Sequence, residues 1–426
     1  MSNLLDEYSW RGMIQDLTHG VDQAVQEGPV TAYIGFDPTA SSLHVGSLLP
    51  IMGLVHLQRA GHHPVAVVGG GTGLIGDPSG KTQERQLLSR EQVEENLEGI
   101  RSQLERFLDF EGVKNPARMV NNLDWLGELR TVEFLRDVGK HFSVNGLLRK
   151  EGVRRRLEDE EGGISYTEFS YVLLQAYDFL VLHDRFDCTV QMGGSDQWGN
   201  ITAGIDLIRR MKGERAYGVV FPLVTSATGV KFGKTEAGTV WLDPRRTSPY
   251  RFFQFWLNTD DQDAVRYLKY FTLLDRSQIQ VLEAELREAP HKRGAQRALA
   301  REVTRLVHGE SGVARAEQAT QVLFGGDVEG LDAEEIADVF ADVPSSQVSR
   351  ESLAGEGTSL LDLLAETGVA SSKGDARRSI QGGGVYVNNI RVEDVDRRIS
   401  MEDALEGEFV VLRKGKKNYR LVRVRG

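Results

Sequence analysis

The sequence predicts an α/β protein organised on a parallel sheet, and two stretches carry the prediction. Val30 to Phe36 is apolar and β-leaning, and it runs through YIGFDPTASSLHVGS (Tyr33 to Ser47) into the apolar run Leu48 to Leu57. CTVQM (Cys188 to Met192) passes in the same way through GGSDQWGN (Gly193 to Asn200). A strand that feeds a helix through a small-residue turn leaves backbone N–H groups and a helix N-terminus facing a ligand. One such unit early and one late fit the two halves of a nucleotide-binding sheet. The first turn also carries a phenol (Tyr33), a carboxylate (Asp37), a hydroxyl (Thr39) and an imidazole (His44), while Gly46 would let a flat ring or a phosphate approach the backbone.

In chain order, a helix is predicted over Leu4 to Leu17, then the first unit, then a second β-like run, HPVAVV (His63 to Val68). That run ends in GGGTGLIGDPSGKT, Gly69 to Thr82. Gly71, Gly73 and Gly76 imitate a dinucleotide fingerprint, but Asp77-Pro78-Ser79-Gly80 stands where a helix should open. Gly80-Lys81-Thr82 imitates the end of a P-loop, but Ile75 stands where the earlier glycine should be. The segment reads instead as a mobile, glycine-rich anion loop bringing Asp77, Lys81 and Arg85 to a site. Ser89 and Gln92 form a capping pair for an amphipathic helix carrying Val93, Leu97, Ile100, Leu104 and Leu108. In YTEFSYVLLQAYDFL (Tyr166 to Leu180), Tyr171, Gln175 and Asp178 fall at i, i+4 and i+7, on one face of a helix. Between Val219 and Val240, Lys231 and Lys234 sit among glycines on a flexible arm suited to phosphate charge that develops transiently. Residues 247–324 read as helical and 325–358 as a glycine-rich, acidic linker, with a small module beginning near Ser359.

The chain's 426 residues suggest two to three domains. A single cysteine excludes an internal disulfide, the nine histidines show no metal-binding spacing, and no apolar run approaches the ~20 residues of a spanning helix. The N-terminus shows no secretion signal, so a cytoplasmic protein is expected. Net charge is −11, yet residues 359–426 hold 13 Lys/Arg against 10 Asp/Glu, and no acidic residue follows Glu408. An acidic body with a basic tail points to a polyanionic partner.

These motifs resemble one family. YIGFDPTASSLHVGS is similar to the first signature of class I aminoacyl-tRNA synthetases, usually written HIGH, and KFGKT to the second, KMSKS. Together with GLIGDPSGK, EFSYVLLQAYDF and QMGGSDQWGNI they resemble the bacterial tyrosyl-tRNA synthetases over nearly the whole chain. The resemblance implies a Rossmann-like parallel-sheet catalytic domain (1–246, with a dimerisation segment about 110–165), a helical anticodon-recognition domain (247–324), the linker, and a small α+β ribosomal-protein-type RNA-binding domain (359–426). It implies activation of L-tyrosine by ATP and transfer to tRNA(Tyr) by a homodimer. No tightly bound cofactor and no protein metal site are expected, magnesium accompanying ATP.

Carried over by position, Tyr33 and Asp178 hold the substrate phenol, and Asp77, Tyr171 and Gln175 its ammonium group, with Gly35 and Gln191 in the same site. Asp37, Gly46, Gly193, Asp196 and Gln197 serve the tyrosine and ATP sites. Thr39 and His44 contact the triphosphate, and Lys81, Arg85, Lys231 and Lys234 draw off pyrophosphate. Lys373, Arg377 and Arg378 face RNA. The family's usual fourth signature residue is histidine, and here it is Ser47, which can still hydrogen-bond a ribose hydroxyl. Adenylation needs no protein nucleophile, since the substrate carboxylate attacks phosphorus, and this accounts for a site of histidine, lysines and glycines. A tryptophan enzyme shares the architecture, but Tyr33 with Asp178 suits a phenol better. An RNA-binding protein without catalysis would leave the lysine arms unexplained, and a dinucleotide-dependent oxidoreductase would rest on Gly71 to Gly76 alone.

Overall fold

Both strand–turn–helix units join one six-stranded sheet. Its strands are β1 (Asp16–Leu17), β2 (Thr31–Phe36), β3 (His63–Val68), β4 (Arg118–Asn121), β5 (Cys188–Gly194) and β6 (Tyr217–Phe221), ordered β1-β6-β5-β2-β3-β4. Only the β1–β6 pair is antiparallel. From β2 the chain builds outward through β3 to β4, then restarts at β5 on the other side of β2. The order reverses there, so the carboxyl ends of β2 and β5 part around a crevice.

This computed structural model describes residues 3–79, 88–150, 153–154, 157, 163–227, 232–235, 238–341, 343–415 and 418–426. The chain divides into two units, Met1–Arg246 with Asn258–Val307, and Thr247–Leu257 with His308–Gly426. In the first, helix Leu48–Arg59 links β2 to β3, and helix Trp198–Lys212 links β5 to β6. The continuous apolar run of β3 is buried on both faces, as a central parallel strand requires. Helix Tyr166–Phe186 packs Ala176, Phe179, Leu180 and Leu182 against Tyr33, Val65 and Val67 of the sheet. Helix Arg90–Leu104 opens on the predicted Ser89–Gln92 capping box. The first helix is shorter than predicted, Leu4–Arg11: Gly12 turns left-handed (φ 72) to cap it, and Asp16 and Leu17 become the edge strand β1. Among the described residues no helix is long and apolar enough to cross a membrane.

The helical region 247–324 does not form one body. Helices Asp261–Phe271 and Arg276–Glu288 belong to the first unit, and helix Pro249–Leu257 to the second. Helix Gly294–Val322 is broken at Gly309 (φ 74), and the residues beyond the break belong to the second unit. Packing explains the division. Tyr250 enters one core with Ala319, Val322, Ile336 and Phe340, whereas Phe271 stacks on Phe232 of the first unit.

The second unit's sheet runs β12-β11-β14-β15-β9, with β9 at Ser345–Ser349, β11 at Val385–Val387, β12 at Ile390–Val392, β14 at Phe409–Lys414 and β15 at Asn418–Arg425. A separate pair joins β10 (Thr358–Ser359) to β13 (Arg398–Ile399). Along β14, Val410 and Leu412 face a core with helices Leu360–Glu366 and Lys373–Gln381. Phe409 and Val411 face the opposite core, with helix Ala333–Val339, so both faces are covered. The linker expectation for 325–358 is corrected here. Asp332 and Glu335 cap helix Ala333–Val339, and β9 pairs in parallel with β15, so this segment is integral to the fold.

Candidate active site

A cavity of about 760 Å³ opens at the carboxyl ends of β2 and β5, where the strand order reverses. Its walls come from the end of β2, the turn after β3, one face of helix Tyr166–Phe186 and the turn after β5. Tyr33, Gly35, Asp37, Thr39, His44, Gly46, Ser47, Asp77, Tyr171, Gln175, Asp178, Gly193, Asp196 and Gln197 all line it. The i, i+4, i+7 spacing of Tyr171, Gln175 and Asp178 did place them on one wall.

One end of the cavity is deeply buried. The Tyr33 ring lies 5.3 Å from that of Phe179, and its Oη is buried with no hydrogen-bond partner among the described residues. Burial, first, and the neighbouring Asp178 carboxyl hold this phenol in its neutral form. Asp178 is only 3% exposed. Its Oδ1 accepts from Trp125 Nε1 at 2.7 Å and its Oδ2 from Asn122 Nδ2 at 3.0 Å. Burial pushes its pKa up to about 8, against the lowering effect of those two hydrogen bonds. Asn122 Nδ2 also donates to Thr72 Oγ1 at 2.9 Å, and Thr72 Oγ1 donates to Asp37 Oδ1 at 2.7 Å. Tyr171 Oη completes the chain, donating to Asp37 Oδ2 at 2.8 Å.

A second polar group lies where helix Tyr166–Phe186 faces the turn after β5. Gln197 Nε2 donates to Asp77 Oδ2 at 2.6 Å, and Gln197 Oε1 accepts from Gln175 Nε2 at 3.2 Å and Asn200 Nδ2 at 3.0 Å. Gln175 Oε1 is buried without a partner among the described residues. Asp77 is tied to its own turn by the Ser79 N–H.

The third region is the first signature. His44 Nδ1 accepts the N–H of Gly46 at 3.0 Å, capping the short helix Val45–Ser47. Gly46 lines the cavity, and a side chain there would fall 2.7 Å from the His44 ring, so the glycine also serves the cap. Ser47 lines the cavity without capping helix Leu48–Arg59. Trp241 forms a bridge with His44, and Val45 N–H donates to Val240 O at 3.0 Å. Gly233, at φ 80, packs so closely on Val45 that a Cβ would lie 2.7 Å from it. The two signatures therefore touch through Gly233 and Val45. Lys234 lies in the hairpin of β7 (Lys234–Thr235) and β8 (Gly238–Thr239). Lys81, Arg85 and Lys231 lie outside the described residues.

Two expectations change. Gly69 to Gly73 form a packed turn instead of a mobile anion loop. A Cβ on Gly69 would fall 2.2 Å from Asp37 Oδ1, one on Gly70 2.2 Å from Asn121 Oδ1, and one on Gly73 2.8 Å from Pro38. Gln191 does not line the cavity. It is buried behind it on β5, against Gly204, with Oε1 unpartnered among the described residues. Lys373, Arg377 and Arg378 belong to helix Lys373–Gln381 of the second unit and are exposed, and Lys373 pairs with Asp362 at 2.8 Å.

A family model described as class I tRNA synthetases (W and Y) matches residues 25–325, and one described as a tyrosine–tRNA ligase C-terminal domain matches 335–422. The chain is 56% identical over 424 residues to the tyrosine–tRNA ligase of Roseiflexus castenholzii, covering 100% of each. It is 54% identical to that of Geobacillus stearothermophilus, covering 99% of each. The chain belongs to the tyrosyl-tRNA synthetase family. A C-terminally truncated mitochondrial tyrosyl-tRNA synthetase from Aspergillus nidulans superposes with a TM-score of 0.68 at 28% identity, over 76% of this chain and 95% of that one. A tryptophanyl-tRNA synthetase from Encephalitozoon cuniculi shares the fold, with a TM-score of 0.54 at 13% identity over 73% of this chain and 87% of that one.

In this tyrosyl-tRNA synthetase fold, the residues that sequence reading passed over are supports: Asn122, Trp125, Thr72 and Asn200 each hold a cavity-lining side chain. Asn121 and Asn122 were the available signal. A polar pair directly after the apolar Met119 and Val120 stands at a strand's carboxyl end, on the edge where ligands bind.

Proposed function

We propose that this chain activates L-tyrosine with ATP, forming tyrosyl-adenylate and pyrophosphate, and then transfers the tyrosyl group to the 3′ end of tRNA(Tyr). One observation carries the substrate assignment: the buried, unpartnered Tyr33 Oη at the Asp178 end of the cavity. A buried hydroxyl without a partner is costly, and a ligand hydroxyl seated between Tyr33 and Asp178 would satisfy it. Sites that hydrogen-bond a ligand hydroxyl reject the analogue lacking it by roughly 10⁴–10⁵, the tyrosine enzymes themselves being the established example.

Asp77, Tyr171 and Gln175 receive the ammonium group, and Gln175 Oε1 is a ready acceptor for it. Gly35 and Gly193 let ligand approach the wall, and Asp37, Asp196 and Gln197 serve the substrate and ribose. In the first step the tyrosine carboxylate attacks the α-phosphate and the bond to pyrophosphate breaks. With His44 Nδ1 accepting from Gly46, its neutral ring carries the proton on Nε2, a donor for phosphate oxygen. Thr39 and Ser47 add hydroxyls, and Lys81, Arg85, Lys231 and Lys234 neutralise the departing pyrophosphate. Magnesium accompanies ATP, bound largely through the substrate's phosphates.

Lys373, Arg377 and Arg378 present charge to the tRNA backbone, and a cytoplasmic location follows from these substrates. A homodimer through residues 110–165 is supported by apolar side chains left exposed there, Val132, Leu135, Val144 and Leu148. The test is ATP–pyrophosphate exchange with each of the twenty amino acids in the absence of tRNA. Exchange with tyrosine alone is expected. Exchange driven by tryptophan, or by none, would overturn the assignment.

A further inference from the structure

The lysine arm between Val219 and Val240 is held by a helix that contributes nothing to the cavity wall. Helix Asp261–Phe271 grips the arm on both sides of residues 228–231. On the near side, Asp263 Oδ2 accepts the N–H of Ala227 at 2.8 Å, while Arg266 Nη2 and Tyr267 Oη donate to Thr225 O at 2.6 and 3.2 Å. On the far side, the Phe232 ring stacks on Phe271 at 5.4 Å, 8° from parallel, and meets Tyr267 edge-on at 5.1 Å. Thr225 and Phe232 both line the cavity, and Asp263, Arg266 and Phe271 do not.

Asp263 is the centre of this grip. It is 4% exposed, and its second oxygen accepts from Arg266, so one carboxylate and one guanidinium hold an N–H and a C=O two residues apart on the arm. The helix is itself fixed. Asp260 caps its N-terminus, Gln296 Nε2 donates to Asp261 at 2.6 Å, and the buried Arg11 guanidinium donates to Lys269 O, Thr272 O and Leu274 O at its end. A terminus satisfied this way does not fray.

We propose that helix Asp261–Phe271 is the mounting of the lysine arm, and that Asp263 is a positioning residue for phosphate chemistry, acting through the arm without touching substrate. The inference rests on the reading of Lys234 given above. Adenylation depends on where the arm's charge sits relative to the departing pyrophosphate, and a displacement of about 1 Å costs such a step on the order of 10²-fold. Tyrosine binds on the far side of the cavity, so its affinity is independent of the arm.

The experiment measures single-turnover adenylate formation and tyrosine affinity for Asp263→Asn, Lys234→Ala and the double variant. An amide offers one acceptor oxygen, so it cannot keep both the Ala227 and the Arg266 bonds. Asp263→Asn is expected to slow adenylate formation by about ten-fold or more at saturating substrates, with the tyrosine dissociation constant within about two-fold of the parent. In the Lys234→Ala background the same change is expected to cost clearly less, because one of the two charges that the arm positions is gone. An equal loss in both backgrounds, or a loss confined to tyrosine affinity, would overturn the proposal. If Lys234→Ala alone leaves the rate intact, the reading of the lysine fails and the inference falls with it. Should Asp263→Asn fold poorly, Phe232→Leu loosens the other side and must show the same split between rate and tyrosine affinity.

Discussion

The indole N–H of Trp125 donates to Asp178 Oδ1 at 2.7 Å, and both residues are buried. The carboxylate that faces the substrate end of the cavity is thus aimed by a residue on the short helix after β4. Trp125→Phe keeps most of the ring volume and removes the donor. It is expected to raise the KM for tyrosine about ten-fold, leaving the KM for ATP unchanged, the cost of leaving one buried polar group without its partner being ~1–3 kcal/mol. Steady-state pyrophosphate exchange checks the split.

Tyr33→Phe separates folding from recognition. Its hydroxyl has no partner among the described residues, so removing it is expected to leave the thermal midpoint of the ligand-free chain unchanged or higher. Tyrosine affinity is expected to fall by about ten-fold, the value of ~1 kcal/mol or more for one lost hydrogen bond. Calorimetric unfolding and equilibrium binding on the same preparation decide the matter. A lower midpoint would mean that the hydroxyl already serves the fold.

Asp178 makes stability depend on pH in a defined direction. Its folded pKa of about 8 lies above that of an exposed aspartate, so the folded state holds a proton that the unfolded state releases. Its contribution is fully present below about pH 4 and is lost as pH rises through about 8. Asp178→Asn is expected to flatten this part of the pH–stability curve. Denaturant midpoints for both proteins between pH 5 and pH 9 test it.

Gly69→Ala is expected to destabilise the fold by ~1–3 kcal/mol, the usual cost of overpacking, because its methyl would fall 2.2 Å from Asp37 Oδ1. Displacing Asp37 also disturbs its bonds with Thr72 and Tyr171, so tyrosine affinity should fall as well. A urea titration and a binding isotherm report the two effects separately.

Arg377→Glu with Arg378→Glu alters two exposed residues of the second unit. Tyrosine activation without tRNA is expected to be unchanged. Charging is expected to weaken at least ten-fold and to become less sensitive to salt, since the slope falls by about one for each phosphate that is no longer neutralised. Aminoacylation measured across a salt series checks both effects.

Periodicity and turn chemistry made much of the sheet and one wall of the cavity legible. The apolar run of β3, the capping pair Ser89–Gln92 and the shared face of Tyr171, Gln175 and Asp178 are local patterns, and local patterns survive folding. What stayed hidden depends on packing between distant segments. Nothing near Gly69 reveals that Asp37 will press against it from 32 positions earlier in the chain, so a packed turn read as a mobile loop. Nothing local marks Trp125, because its partner lies on another helix. The acidic, glycine-rich composition of 325–358 concealed the alternation of β9, whose residues meet β15 only in three dimensions.

Strand β9 carries a practical lesson about where the chain can be cut. A fragment starting at Ser359 would leave β15 with five residues' worth of open backbone along its outer side, where Ser345 to Ser349 are paired in the full chain. Bare strand edges recruit whatever strand is at hand, usually another copy of themselves. Such a piece would be expected to clump in the tube and to be mistaken for a module with no affinity for RNA. A piece that begins ahead of helix Ala333–Val339 carries its own edge guard.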